Sequence, residues 1–199
     1  MAASRTGTNC AGIDVEPSAT NRVLSFYSNT TILVTGGTGF LGKVLLEKIL
    51  RCLGVRKVFL AIRAKNGRNP TERLQDLLKD VIFDRLRAAY PIDQLLERVE
   101  AVEISLEASG GEGLGLDGAL EARLLQETEL VFNVLASVKF NESIKNAIGT
   151  NVGGTRRILQ LARRMQRLKA IVHVSTLYSN CDRTHIRERV YADPPLNPD

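Results

Sequence analysis

Apolar residues recur along the chain in short dense runs, separated by longer stretches in which they return every three or four positions. The runs are Thr31–Thr35 (TILVT), Lys57–Ile62 (KVFLAI), Val99–Ile104 (VEAVEI), Leu130–Leu135 (LVFNVL) and Ala170–Ser175 (AIVHVS), all of strand length. Several are apolar at successive positions, the pattern of a parallel strand covered on both faces. Between them, Phe40–Leu53 predicts an apolar helix, and Asn69–Ala88 a helix with Leu74, Leu77, Leu78 and Val81 on one face. Thr155–Leu168 places Ile158, Leu161, Ala162 and Met165 in the same way. The glycine-rich stretch Glu107–Gly118 reads as a surface loop, and Asp117 as the N-cap of a helix running through Glu127. Five strands alternating with helices predict an α/β chain, a doubly wound parallel sheet in the order 3-2-1-4-5.

Composition narrows what such a sheet serves. The chain has 199 residues, 44% hydrophobic, 25% charged and 5% aromatic with no Trp, room for one domain with an ordinary core. We read residues 1–25 as a flexible, polar lead-in without the apolar segment of a signal peptide, and residues 26–199 as the folded domain. Nowhere do 18 apolar residues run together, so no spanning helix is expected. The net charge is +5; residues 1–150 carry 18 basic and 18 acidic side chains, residues 151–199 nine and four. A modest basic excess with few aromatics speaks for an anionic small ligand and against nucleic acid. Cys10, Cys52 and Cys181 are odd in number and widely spaced, which reads as thiols of an intracellular, reducing compartment with no metal site.

The candidate chemistry begins where the first strand ends. Thr35-Gly36-Gly37-Thr38-Gly39-Phe40-Leu41-Gly42 sets glycines at 36, 39 and 42 as strand turns into helix, the context of a dinucleotide-binding loop. Gly36 allows the turn, Gly39 lets backbone approach a pyrophosphate, and Gly42 permits close packing of the helix, whose first-turn N–H groups attract the anion. The same residues also satisfy G-x-x-x-x-G-K, but Val44 stands where a triphosphatase loop needs a Ser or Thr to hold Mg²⁺. At the end of the second strand an acid would bind a ribose 2′-hydroxyl; here stand Arg63, 21 residues past Gly42, and Lys65. Their cations pair with a 2′-phosphate, so NADPH is favoured over NADH, with a solvated basic turn as the alternative.

Longer signatures extend this reading. TGGTGFLGKVLLEKILR (Thr35–Arg51), IRAK (Ile62–Lys65), GLGL (Gly113–Leu116), VFNVLASVKFNE (Val131–Glu142), NVGGT (Asn151–Thr155) and LKAIVHVSTLYSNCDR (Leu168–Arg183) follow one another. From about Phe26 onward the chain resembles the N-terminal part of the alcohol-forming fatty acyl-CoA reductases, in the extended short-chain dehydrogenase superfamily. The resemblance implies a Rossmann-like fold, NADPH as cofactor, and reduction of a long-chain fatty acyl-CoA to a fatty alcohol. It also implies a membrane-surface role at the peroxisome or endoplasmic reticulum. It adds Ala136 and Asn151 to the cofactor-binding residues and puts Glu107 near the place of an acid beside the adenine. Departures are Asn133, Leu135 and Asn141, where the family usually has His, Ala and Asp.

Hydride transfer to a carbonyl builds charge on its oxygen, which must be stabilised and protonated. The superfamily uses a Ser or Thr after the fifth strand, and a Tyr with a Lys four residues on. Thr176 matches the first role, with Ser175 as the alternative; either hydroxyl also reads as satisfying backbone at a strand end. The four tyrosines, Tyr27, Tyr90, Tyr178 and Tyr191, are followed at that spacing by Thr31, Gln94, Asp182 and Pro195. None has the lysine, so the chain reads as a cofactor-binding portion ending before the proton donor. The rival reading is a catalytically inactive NADP(H)-binding sensor or interaction module. Lys139 reads as a solvated strand-end cation and His173 as a satisfied core histidine.

Overall fold

The computed structural model describes residues 22–63, 67–105, 113–139, 141–181, 183–189 and 191. Lys65, Glu107, most of the lead-in and the last eight residues lie outside the described residues. Five parallel strands, β1 (Thr31–Thr35), β2 (Lys57–Ile62), β3 (Val99–Glu103), β4 (Leu130–Asn133) and β5 (Ala170–His173), form one sheet in the order β3-β2-β1-β4-β5. This is the architecture the alternation predicts. Helices α1 (Arg22–Tyr27), α2 (Phe40–Cys52), α3 (Pro70–Leu78), α4 (Asp84–Ala89), α5 (Ile92–Arg98), α6 (Gly118–Glu127), α7 (Ile144–Ile148) and α8 (Gly154–Arg163) connect and flank it. Helix α1 begins inside the stretch read as lead-in.

Successive strand residues point to opposite faces, and each face has its own core. Ile32, Val34, Val58, Leu60, Leu130 and Phe132 pack beneath Leu46, Ile49 and Leu50 of α2 and Leu74, Leu77 and Leu78 of α3. Leu33, Phe59, Ala61 and Val131 turn to the other side, under Leu124 of α6 and Ile158, Leu161 and Ala162 of α8. All five residues of β1 are buried, which is why that strand is apolar at consecutive positions. Truncating one such side chain, Leu46→Ala for example, removes about 2–5 kcal/mol of stability.

Several boundaries differ from the pattern. The predicted helix over 69–88 is broken in two by Asp80, whose backbone is extended (ψ 145°) and whose carboxylate accepts from Ile82 N–H. A side chain that caps its own backbone competes with helix continuation. Arg87 completes the break by donating to the carbonyls of Leu78 and Asp80. Val81, counted on the apolar face, is consequently 79% exposed, and Phe83 takes the core. Helix α5 behind Pro91 and helix α7 carry too short an apolar period to stand out. Strands β3, β4 and β5 end one or two residues early, although Ile104 and Val174 N–H still donate to the carbonyls of Ile62 and Asn133 on the neighbouring strands. Helix α8 stops at Arg163, and what precedes it is a π-helical turn, Gly149–Gly153. Cys181 is a free, exposed thiol.

The carboxyl ends of the strands carry the loops that matter. Strand β1 is followed by α2 on one side, while β4 and β5 continue on the other, so the crossover direction reverses between β1 and β4. Ligands of doubly wound sheets bind in the crevice at that reversal.

Candidate functional site

The glycine loop lies in this crevice. Gly36 has φ +69°, and a Cβ there would come within 2.6 Å of the Val134 carbonyl, so only glycine lets the loop cross the end of β4. Gly42 is close-packed for a different reason: a Cβ would meet Gly36 O at 2.2 Å and Gly37 Cα at 2.6 Å. The contact is with the loop itself rather than with the strand. A Cβ on Gly39 would meet a single neighbouring atom, Gly36 O at 3.3 Å, which leaves that side of the loop open to a ligand.

The start of α2, without a side-chain cap like those of α4, α5 and α8, differs from the starts of α3 and α6. Helix α3 is closed by a capping box in which Asn69 accepts from Glu72 N–H, and α6 by Asp117 accepting from Ala119 and Leu120 N–H. Helix α2 has Gly39 at its N-cap and no side-chain cap. Its first-turn N–H groups therefore point into the crevice with the positive end of the helix dipole behind them, an arrangement that fits a pyrophosphate. Lys43 does not act there. It pairs with Asp80 and, with Ile82 N–H, holds that carboxyl below the usual carboxylate range. The triphosphatase reading thus loses its lysine as well as its Mg²⁺ ligand.

A cleft of about 580 Å³ opens before the loop. Of the predicted cofactor residues, Gly36, Thr38, Gly39, Arg63 and Ala136 line it. Arg73 and Lys139 line it too, so among the described residues its charged wall is three cations and no acid. Arg73, from α3, was not singled out by sequence; its guanidinium donates to the Arg63 carbonyl and ties the end of β2 to the helix. Only folding brings it near, since no spacing rule joins residues 63 and 73. Thr35 is fully buried beneath the loop, where its hydroxyl donates to Asn133 Oδ1 and accepts from Leu135 N–H. Gly37 packs inward on Leu60; Phe40 and Leu41 are exposed on α2.

Asn151 sits in the π-helical turn Gly149–Gly153. Its amide accepts from Ser137 N–H at 2.7 Å and donates to Ser137 O at 3.1 Å, which pins the loop after β4 beside Ala136. Ser175 and Thr176 follow β5, are exposed, and do not line the 580 Å³ cleft. Thr176 caps the 3-10 turn Leu177–Asn180 by accepting from Tyr178 N–H at 3.2 Å, which leaves its own hydroxyl proton to donate. Tyr178 is 79% exposed. His173 is exposed too, not a core residue, and its Nδ1 meets Asn133. Among the described residues no helix is long and apolar enough to cross a membrane.

Comparison with known proteins adds the following. A family model of an NAD-binding domain, described as "Male sterility protein", matches residues 34–197. Fatty acyl-CoA reductase 1 of Homo sapiens is 40% identical over 174 residues, 87% of this chain and 33% of that protein. Fatty acyl-CoA reductase wat of Drosophila melanogaster is 36% identical over 167 residues, 84% and 31%. The chain thus spans about a third of the length of these relatives. Among solved structures, the terminal R domain from the myxalamid PKS-NRPS biosynthetic pathway superposes with a TM-score of 0.59 and 31% identity, covering 75% of this chain and 36% of that one.

Proposed function

The chain belongs to the male sterility protein family of NAD-binding domains, and from that premise we propose that it is the NADPH-binding part of a reductase converting long-chain fatty acyl-CoA to fatty alcohol. The observation that carries the cofactor choice is the charged wall of the cleft: Arg63, Arg73 and Lys139 without an acid. A 2′-phosphate gains charge-assisted hydrogen bonds from such a wall, whereas a ribose hydroxyl finds no carboxylate among the described residues of the wall to accept its proton. The nicotinamide cofactor, when bound, supplies the hydride. The glycine loop and the α2 N-terminus hold the pyrophosphate, Arg63 reads the 2′-phosphate with Arg73 bracing it, and Asn151 keeps the loop of Ala136 and Ser137 in place. The Thr176 hydroxyl, with Ser175 beside it, donates to the carbonyl oxygen as charge builds there. Residues 26–199 act as one domain in this reading, working at a membrane surface where acyl chains are supplied.

Binding titrations test the cofactor claim. Arg63→Asp should weaken NADPH by roughly 10- to 100-fold, the worth of a charge-assisted pair, and NADH by far less. Equal loss of both would remove the argument. Acyl-CoA-dependent oxidation of NADPH tests the reductase claim. This chain fused to the remaining two thirds of fatty acyl-CoA reductase 1 is the form to assay: oxidation by the fusion supports the reductase reading, and a fusion that binds NADPH without oxidising it favours the non-catalytic module.

A further inference from the structure

The most deeply buried polar side chain at the end of β4 belongs to a residue the nucleotide reading does not use. Asn133 is 1% exposed, and an amide buried there has to satisfy both its ends. Its Oδ1 accepts from the Thr35 hydroxyl at 2.6 Å, while its Nδ2 lies 3.4 Å from Thr155 Oγ1 and 3.1 Å from His173 Nδ1. Neighbours on both sides decide which way the amide points. The Thr155 hydroxyl gives its proton to the Asn151 carbonyl at 2.7 Å, so it presents a lone pair to Asn133. Thr35 Oγ1 accepts from Leu135 N–H at 3.3 Å and turns its proton to Oδ1. The NH₂ group therefore faces His173. A ring nitrogen that meets an N–H is an acceptor, and the hydrogen of the neutral imidazole then sits on Nε2.

We propose that Asn133 is a positioning residue that holds His173 in the Nε2–H tautomer and makes it a hydrogen-bond donor for an anionic oxygen group, phosphate or carboxylate, in the cleft between β5 and α8. This cleft, of about 580 Å³, is separate from the nucleotide cleft; His173 shares it with Asn151, Thr155, Arg156 and Arg163, and its lining among the described residues includes no acid. The Asn151 amide is engaged at both ends by Ser137. The charged donors left for a ligand are the exposed Arg156 and Arg163, joined by His173 Nε2–H. Three such donors suit an oxyanion. With the opposite tautomer, a lone pair would face the anion instead.

Long-range ¹H–¹⁵N correlation of the histidine rings in the full chain reads the tautomer directly, with His185 as internal reference. His173 is expected to carry its hydrogen on Nε2. Asn133→Asp, whose carboxylate only accepts, should move that hydrogen to Nδ1. A wild-type ring protonated on Nδ1 overturns the proposal without any variant, and so does a tautomer unchanged in folded Asn133→Asp. Inorganic phosphate should shift the His173 Nε2–H signal saturably. Arg163→Ala should weaken that binding about tenfold, the worth of one charged hydrogen bond, and Arg63→Ala in the nucleotide cleft should leave it unchanged. Absence of a shift at His173, or equal loss in the two variants, overturns the anion site while leaving the NADPH reading untouched.

Discussion

The three glycines of the loop look alike in sequence and differ in what each prevents. At position 42 a methyl collides with backbone at 2.2 Å, so Gly42→Ala should destabilise the fold by about 1–3 kcal/mol, as overpacking does, visible in urea denaturation. Gly39→Ala meets one atom at 3.3 Å, so its unfolding free energy should change by less than about 1 kcal/mol. On the proposed function the same methyl would meet the bound pyrophosphate, and NADPH affinity should fall at least tenfold in titration. A variant that lost both in step would refute the division. The spacing of the glycines was legible because it is a local backbone requirement. Arg73 was not, since its place beside Arg63 arises from how α3 folds back on β2. Nor was the outward turn of His173, because an apolar strand predicts burial unless it stands at the edge of the sheet.

Elements are joined at the opposite edge of the sheet by a buried acid. Glu129, 5% exposed and just ahead of β4, accepts from Thr31 N–H of β1 at 3.0 Å and pairs with Lys169, just ahead of β5, at 2.8 Å. Burial alone would raise its carboxyl, but the bonds from Lys169 and Thr31, with Arg167 nearby, outweigh burial and hold it below its ordinary value. A carboxyl lowered by folding stabilises the native state above its unfolded pKa, and that contribution disappears as pH falls through the lowered folded value. Wild type should therefore exceed Glu129→Gln in unfolding free energy at pH 7, by about 1.5–3 kcal/mol for charged hydrogen bonds. The difference should shrink toward pH 3 in denaturant titrations; a gap independent of pH would exclude this origin. Strand positions were readable here because both faces are apolar, and the break at Asp80 was hidden because periodicity counts Val81 without seeing its neighbour's side chain cap the backbone.

For the whole molecule, the uncapped start of α2 links folding to ligand. At a concentration 100 times its dissociation constant, NADPH should add about 2.7 kcal/mol to stability. For a chain this size that is a rise in melting temperature of about 5–10 °C. Calorimetry should show the rise in wild type and a much smaller one in Arg63→Asp at the same concentration. The order of the sheet was foreseeable from the alternation of strands and helices together with the handedness of crossovers. The second cleft was not, because it depends on two elements, α8 and β5, that meet only at the edge.

The loop's two inner neighbours also govern how this chain can drift over generations. At Gly37 an added methyl would sit 2.2 Å from a methyl of Leu60, a side chain, so a smaller residue at 60 makes room for a larger one at 37. At Gly36 the obstacle is the backbone of Val134 and Leu135, and no replacement elsewhere can move it aside. Descendants can therefore exchange residue 37 in concert with residue 60, while residue 36 has no partner whose change would free it.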